Sequence, residues 1–139
     1  MKSLYVCQAT ADGFREGRVR TDDGRLDVTL SRPAGMKGDD GPGTNPEQLF
    51  AAAYAACFHS AMHLVARRQK LSMEGSEVTA VVDLGLDDDR NYGFEVELIA
   101  AAPELERDQI EQLMADAHQV CPYSRATRGN VAVTLTPKA

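Results

Sequence analysis

Cysteine is scarce in this chain of 139 residues: Cys7, Cys57 and Cys121 are the whole supply. An odd trio is too few for the disulfide framework of a small secreted domain. In a reducing compartment such residues serve packing, metal binding or chemistry. Cations are in deficit as well, with 15 Lys and Arg against 21 Asp and Glu and a net charge of −6. The positive residues are scattered among acids, which argues against a nucleic-acid partner, whose phosphates call for clustered Lys and Arg. The opening residues MKSLYVCQATADG lack the apolar core and small-residue cleavage site of a secretory signal. No long apolar run is free of interruption. The longest, LFAAAYAACFHSAMHLVA, carries two histidines, follows Pro46–Glu47 and leads into Arg67, Arg68 and Lys70, which sets it apart from a membrane span. A cytoplasmic location is the expectation. Repeats, linkers and low-complexity tracts are missing too, so residues 1–139 read as one domain.

What is present is ordinary globular material, 43% hydrophobic and 26% charged. Residues 4–11, 18–21 and 26–31 read as strands, joined by turns at 12–17 and at Asp22-Asp23-Gly24, and predict an antiparallel meander. Residues 33–44, with four glycines and two prolines, predict a loop. Asn45 is a good N-cap, Pro46 suits the first helical position, and Gln48 has the spacing of a capping box. The helix they open should run to about Lys70, where the cationic cluster suits a C-terminus. It is apolar on most faces, as buried helices are, and its alanines would let a second backbone, such as an identical helix, come close. Residues 78–86 and 92–102 predict a pair of strands around a turn at 87–91. Residues 107–120 carry Ile110, Leu113, Met114 and Ala117 at the spacing of an amphipathic helix. Pro122 disfavours helical geometry at Cys121. Ser124 could then cap a short turn that Gly129 ends, before a last strand at 131–136. The class is α+β.

Taken one at a time, the chemically capable residues admit two readings. Cys57 is either a nucleophile or a small buried hydrophobe among alanines. Cys121, at a helix end before a proline, is either an accessible thiol or a structural one. Cys7, on the first predicted strand, reads as packing. Arg15 sits in a glycine-flanked turn that would let it swing, yet a lone arginine there is ordinarily a solvated charge. Glu47 is favourable in a first helical turn on dipole grounds alone. Ten residues of straight helix separate Glu47 from Cys57 by ~15 Å along the axis and ~80° around it. The two therefore share a site only if the helix breaks, a side chain such as Arg15 bridges them, or a second subunit contributes. His59 and His63 at i, i+4, and His118 with Cys121 at i, i+3, have metal-compatible spacing. No glutamate follows His59 and no CxxC accompanies them, so no metal is expected.

Two segments carry a resemblance. Residues 43–52, GTNPEQLFAA, leading into Ala55-Ala56-Cys57-Phe58, are similar to the first cysteine motif of the organic hydroperoxide resistance proteins. Residues 118–130, HQVCPYSRATRGN, are similar to their second. These proteins share a superfamily with the osmotically inducible OsmC-like proteins, and the ATRGN tail resembles the hydroperoxide-resistance branch. The resemblance spans nearly the whole chain. It implies a thiol peroxidase that reduces organic hydroperoxides, with Cys57 peroxidatic and Cys121 resolving, assisted by Arg15 and Glu47. It also implies an α+β fold as an intertwined homodimer, with antiparallel sheets around two long central helices. No cofactor is bound in such proteins; the implied electron donor is a lipoyl dithiol (dihydrolipoamide, or a lipoylated protein recharged by a lipoamide dehydrogenase). The chain departs from the family pattern in a more charged 34–42 loop, in His59, in Phe14 where glycine is expected, and in Tyr92 beside Gly93-Phe94. Phe50, Tyr54, Phe58, Met62 and Tyr123 supply apolar surroundings that would favour a greasy hydroperoxide, or would simply be core.

Overall fold

The computed structural model describes residues 1–138, which form two compact units, Met1–Leu49 and a larger one from Phe50 onward.

In the first unit β1 (Ala9–Asp12), β2 (Arg18–Thr21) and β3 (Asp27–Thr29) form the expected antiparallel meander. Ala9 pairs with Thr21 and Asp12 with Arg18, while Arg18 and Arg20 lie opposite Thr29 and Asp27. The first strand is shorter than the 4–11 read from its alternation. β2 offers only four residues before its turn, and the pairing ends with the Asp22 N–H donating to the Gln8 carbonyl at 3.3 Å. Leu4, Tyr5 and Val6 consequently stand in the open, 79–93% exposed. The third strand is shorter too, but Leu30 just beyond it is buried and bridges to Thr44. The charged loop is also tied down: Ser31 N–H donates to Thr44 O at 2.9 Å, and Gly43 N–H to Ser31 Oγ at 2.8 Å.

Between β1 and β2 the chain makes one 3-10 turn, Phe14–Glu16, entered through Gly13 at φ 70°. Phe14 follows at φ 60°, a left-handed conformation that glycine adopts at less cost. The departure from the family pattern at Phe14 thus falls where backbone geometry favours the glycine. The turn is closed by Gly17, where a Cβ would lie 1.8 Å from the Asp12 carbonyl oxygen and 2.6 Å from the Gly13 Cα. No side chain fits there without moving backbone.

The long helix α1 (Pro46–Arg68) starts as the cap signals indicate. The Asn45 Oδ1 accepts the Gln48 N–H at 2.8 Å. The reciprocal half of the expected capping box is not made, because the Gln48 Oε1 instead accepts the Thr44 hydroxyl at 2.7 Å. By length and composition alone α1 could cross a membrane, with mean hydropathy 1.4, a test that the core helix of a soluble protein also passes. Its buried side chains, Tyr54, Phe58, Ala61, Met62, Val65 and Ala66, make it a core helix. It is not buried all round, however: Ala52, Ala56, Ser60, His63 and Leu64 remain exposed.

In the second unit β4 (Glu77–Leu86) and β5 (Tyr92–Ala101) pair along their whole length, Glu77 opposite Ala101 and Leu86 opposite Tyr92. β6 (Ala132–Lys138) then lies parallel to β5, so this sheet is mixed and not purely antiparallel as expected. The reason is the connection. The helices α2 (Arg107–Val120) and α3 (Pro122–Thr127) carry the chain back to the end where β5 began, and a parallel neighbour needs such a crossover. α2 has the predicted bounds and buries Ile110, Leu113, Met114 and Ala117. Its start is fixed by a Glu106–Gln109 capping box that the sequence reading missed. These side chains close one core with Tyr54, Phe58, Met62, Val96 and Leu98. Each such large apolar group contributes about 1.5–3 kcal/mol by leaving water.

The β1–β2 turn supplies one test. Gly17→Ala should destabilise the chain by about 1–3 kcal/mol, because backbone must open to admit the methyl group. Unchanged thermal unfolding of that variant would show that the turn is not packed as described.

Candidate active site

The residues singled out by the sequence fall into two pairs. The first is sulfur. Cys57 lies mid-helix on α1 and is partly buried, while Cys121 lies between α2 and α3 and is fully buried. Both are free thiols, and their Sγ atoms are 3.6 Å apart. A disulfide needs about 2.05 Å, so a shift of roughly 1.5 Å would join them. Of the two readings open for Cys121, the accessible helix-end thiol is not the one observed, since its side chain is fully buried. Its backbone is extended, φ −61° and ψ 124°, and α3 begins on the next residue, folding the helix end onto the core. Its amide still closes α2 on the Ala117 carbonyl at 2.8 Å, and its carbonyl accepts the Arg125 N–H at 3.0 Å.

The surroundings of Cys57 oppose ionisation. Burial pushes its thiol above the ordinary value, and the adjacent Cys121 thiol pushes in the same direction. The backbone N–H of Tyr123 acts the other way by donating to Cys57. That amide is free to do so because first-turn N–H groups have no partner within their own helix. Sequence reasoning did not anticipate this donor. Its signal was Pro122, a residue that suits the first position of a helix and so marks Tyr123 as second. Within the sulfur pair alone the thiol form wins.

An aromatic cluster adjoins the sulfurs. Phe50 stacks on Phe94 with ring centroids 5.2 Å apart and meets Tyr54 edge-on at 5.9 Å. Tyr123 packs against Tyr54 at 5.7 Å. Of the five residues expected to form apolar surroundings, Tyr54, Phe58 and Met62 are fully buried and belong to the core. Phe50 and Tyr123 keep some exposure, and Phe94, which the sequence reading did not single out, joins them.

The second pair is ionic. Arg15 donates from Nη1 to Glu47 Oε2 at 2.8 Å and from Nη2 to Oε1 at 2.7 Å. Parallel bonds of this kind are the strong form of an arginine–carboxylate contact. The side chains are 27% and 16% exposed, so Arg15 is not the solvated charge of the plainer reading and does not swing free. Glu47 sits in the first turn of α1, where the dipole favours it, and holds the guanidinium as well. The guanidinium holds the Glu47 carboxyl below its usual value, against the opposing effect of burial. α1 is continuous through both Glu47 and Cys57, which removes a helix break as a way for them to share a site.

The remaining candidates go elsewhere. Cys7 is exposed, not packed in a strand. His59 exchanges a hydrogen bond with the Ser76 hydroxyl at 2.8 Å. His118 has a buried Nδ1 with no partner among the described residues, and burial lowers its pKa. No three His, Cys, Asp or Glu side chains converge as a metal would require, among the described residues.

Residues 38–136 match the family of OsmC-like proteins. An organic hydroperoxide resistance protein of Xanthomonas axonopodis pv. citri is 50% identical over 97% of this chain and 95% of its own length. A crystal structure of an organic hydroperoxide resistance protein from Legionella pneumophila superposes with a TM-score of 0.93 at 46% identity, covering 99% of this chain and all of that one. That of OhrB from Bacillus subtilis superposes with a TM-score of 0.88 at 42% identity, over 98% of this chain and all of that one.

The ion pair makes a pH prediction. Because the Glu47 carboxyl is depressed on folding, the stability it adds is complete above the unfolded value and is lost as pH falls through the lower folded one. Acid unfolding of Glu47→Gln should therefore lack this component, while its behaviour near pH 7 reports only the lost bonds. A carboxyl resonance for Glu47 titrating at or above its usual 4.5 would contradict the pairing.

Proposed function

The chain belongs to the OsmC-like protein family, on the branch of the organic hydroperoxide resistance proteins, and on that premise we propose that it is a cysteine-based thiol peroxidase. The observation that carries the reading is the approach of two free thiols, Cys57 and Cys121, to 3.6 Å across 64 residues of sequence.

In the proposed cycle the Cys57 thiolate attacks the O–O bond of an organic hydroperoxide. A sulfur–oxygen bond forms, the O–O bond breaks, and the alkoxide leaves as alcohol after taking a proton. Cys57 is then a sulfenic acid. Cys121 attacks that sulfur, the S–O bond breaks, water departs, and a Cys57–Cys121 disulfide results. A lipoyl dithiol, free as dihydrolipoamide or carried on a lipoylated protein, restores both thiols by exchange and is itself oxidised. No cofactor stays bound.

The thiolate is the demanding species, since burial favours the thiol at Cys57. We assign its stabilisation to Arg15, with the Tyr123 amide assisting. A guanidinium lowers a thiol pKa and steadies the charge developing on the departing oxygen. Glu47 has a positional role, presenting the guanidinium by its two-point grip. The partly exposed rings of Phe50, Phe94 and Tyr123 favour an alkyl hydroperoxide over hydrogen peroxide.

The working form is proposed to be an intertwined homodimer in the cytoplasm. Exposed apolar residues in each unit support it: Leu4, Tyr5 and Val6 in the first, and the α1 stripe of Ala52, Ala56 and Leu64 in the second. A second copy of the chain would cover them, and sedimentation reads the outcome directly.

Purified protein with dihydrolipoamide should consume an alkyl hydroperoxide faster than hydrogen peroxide. Cys57→Ser should lose all turnover, and Cys121→Ser should stop after one equivalent with Cys57 oxidised. Arg15→Ala should lose roughly 10²-fold in kcat/KM and shift alkylation of Cys57 to higher pH. Absence of consumption with any dithiol overturns the activity. An alkylation profile untouched in Arg15→Ala removes the role given to that residue.

A further inference from the structure

Three residues before Cys57 and three after Cys121, the chain places a second set of groups that meet. The Tyr54 hydroxyl lies 3.0 Å from Ser124 Oγ and 3.2 Å from Thr127 Oγ1. Tyr54 and Ser124 are fully buried and Thr127 is 7% exposed. Residues three apart on a helix share a face, so Tyr54 and Cys57 point from one side of α1. Across from them stand Ser124 and Cys121, in the reverse order. The result is a ladder between α1 and the α3 segment with two rungs, one of sulfur at 3.6 Å and one of hydroxyls at 3.0 Å.

The hydroxyl rung does nothing that core filling alone requires. Phenylalanine at 54 and alanine at 124 would pack the same space with fewer polar groups to desolvate, and burying hydroxyls is favourable only when every partner is met. What a satisfied buried network does supply is a single packing arrangement, because any slip of one helix along the other leaves hydroxyls unpaired. Here one packing arrangement means one sulfur-to-sulfur distance. Thr127 is held in place for this by a second bond, from its hydroxyl to the Ser124 carbonyl at 3.1 Å.

We propose that Tyr54 is a positioning residue for the resolving step: its hydroxyl locks α3 to α1 so that Cys121 stands within reach of the sulfur of Cys57. The proposal rests on the peroxidase reading for its biological meaning, but the property it assigns, the effective concentration of one thiol at the other, exists without a hydroperoxide. Once Cys57 is a sulfenic acid, condensation with Cys121 competes with further oxidation to the sulfinic acid. A looser ladder slows the first without touching the second.

The test measures the pair in glutathione buffers, where protein dithiol and oxidised glutathione exchange with protein disulfide and two reduced glutathiones. Tyr54→Phe, with Ser124→Ala as a second variant should the first fail to fold, is compared with wild type and with Ile110→Val, a core change away from the ladder. The equilibrium constant should fall about tenfold in either ladder variant, the scale of one buried hydrogen bond, and stay at the wild-type value in Ile110→Val. Under excess alkyl hydroperoxide without reductant, mass analysis should find more sulfinic acid at Cys57 in the ladder variants than in wild type. A wild-type constant in the ladder variants overturns the proposal, and so does an equal loss in Ile110→Val, which would make the effect one of general stability. If hydroperoxide never oxidises wild-type Cys57, the peroxidase reading falls, and the glutathione constant still decides the role of Tyr54.

Discussion

The turn of the chain at Cys121–Pro122 is the constraint on which the second unit depends. Proline disfavours helical geometry in the residue before it, so α2 must stop at Cys121, and its fixed φ lets α3 begin immediately. Had a loop followed, the thiol would have ended in solvent. Instead one residue serves as the end of one helix and the cap of the next, its side chain is driven into the core, and the first free amide of α3 points at Cys57. The same turn aims Ser124 and Thr127 at Tyr54 and brings Tyr123 against the aromatic cluster. A change that restored helix through Cys121 would undo the sulfur pair, the amide contact and the hydroxyl rung together.

The electrostatics of the two pairs run in opposite directions. At Cys57 low polarity dominates, and the thiol resists losing its proton. At Glu47 the guanidinium outweighs burial, and the carboxyl is held ionised. A thiol chemistry built on Cys57 therefore needs positive charge from beyond its sulfur neighbour, which is why the proposed cycle assigns Arg15 that task. The Arg15–Glu47 grip depends on a turn with no spare space: Gly17 lies so close to Asp12 that even a methyl group collides. The conformational cost at Phe14 is one expense of presenting an arginine from so tight a hairpin.

Local signals in the sequence placed most elements well. The 3.6 period of Ile110, Leu113, Met114 and Ala117 located α2, and Asn45-Pro46 located the start of α1. They misplaced strand ends, since strand length depends on the partner: β1 stops where β2 runs out. They also missed the parallel pairing of β6, because alternation in one strand says nothing about its neighbour's direction. Among the candidate residues, the two motifs contained Cys57, Cys121 and Glu47, and the resemblance added Arg15. Phe94 was not read as a partner of Phe50, and the Tyr123 amide was not read at all, because a backbone group has no letter.

What the sequence determined by itself was identity and local geometry: family membership through two long cysteine motifs, the breaks imposed by Pro122 and Gly17, and the helical spacing that puts Tyr54 beside Cys57. Tertiary structure alone decided distance and burial. That Cys121 is hidden, that two sulfurs 64 residues apart lie within 3.6 Å, and that Tyr54, Phe58 and Met62 are core, all follow from packing between distant segments. Such packing minimises exposed apolar surface over the whole unit at once, and no stretch of sequence encodes that sum locally.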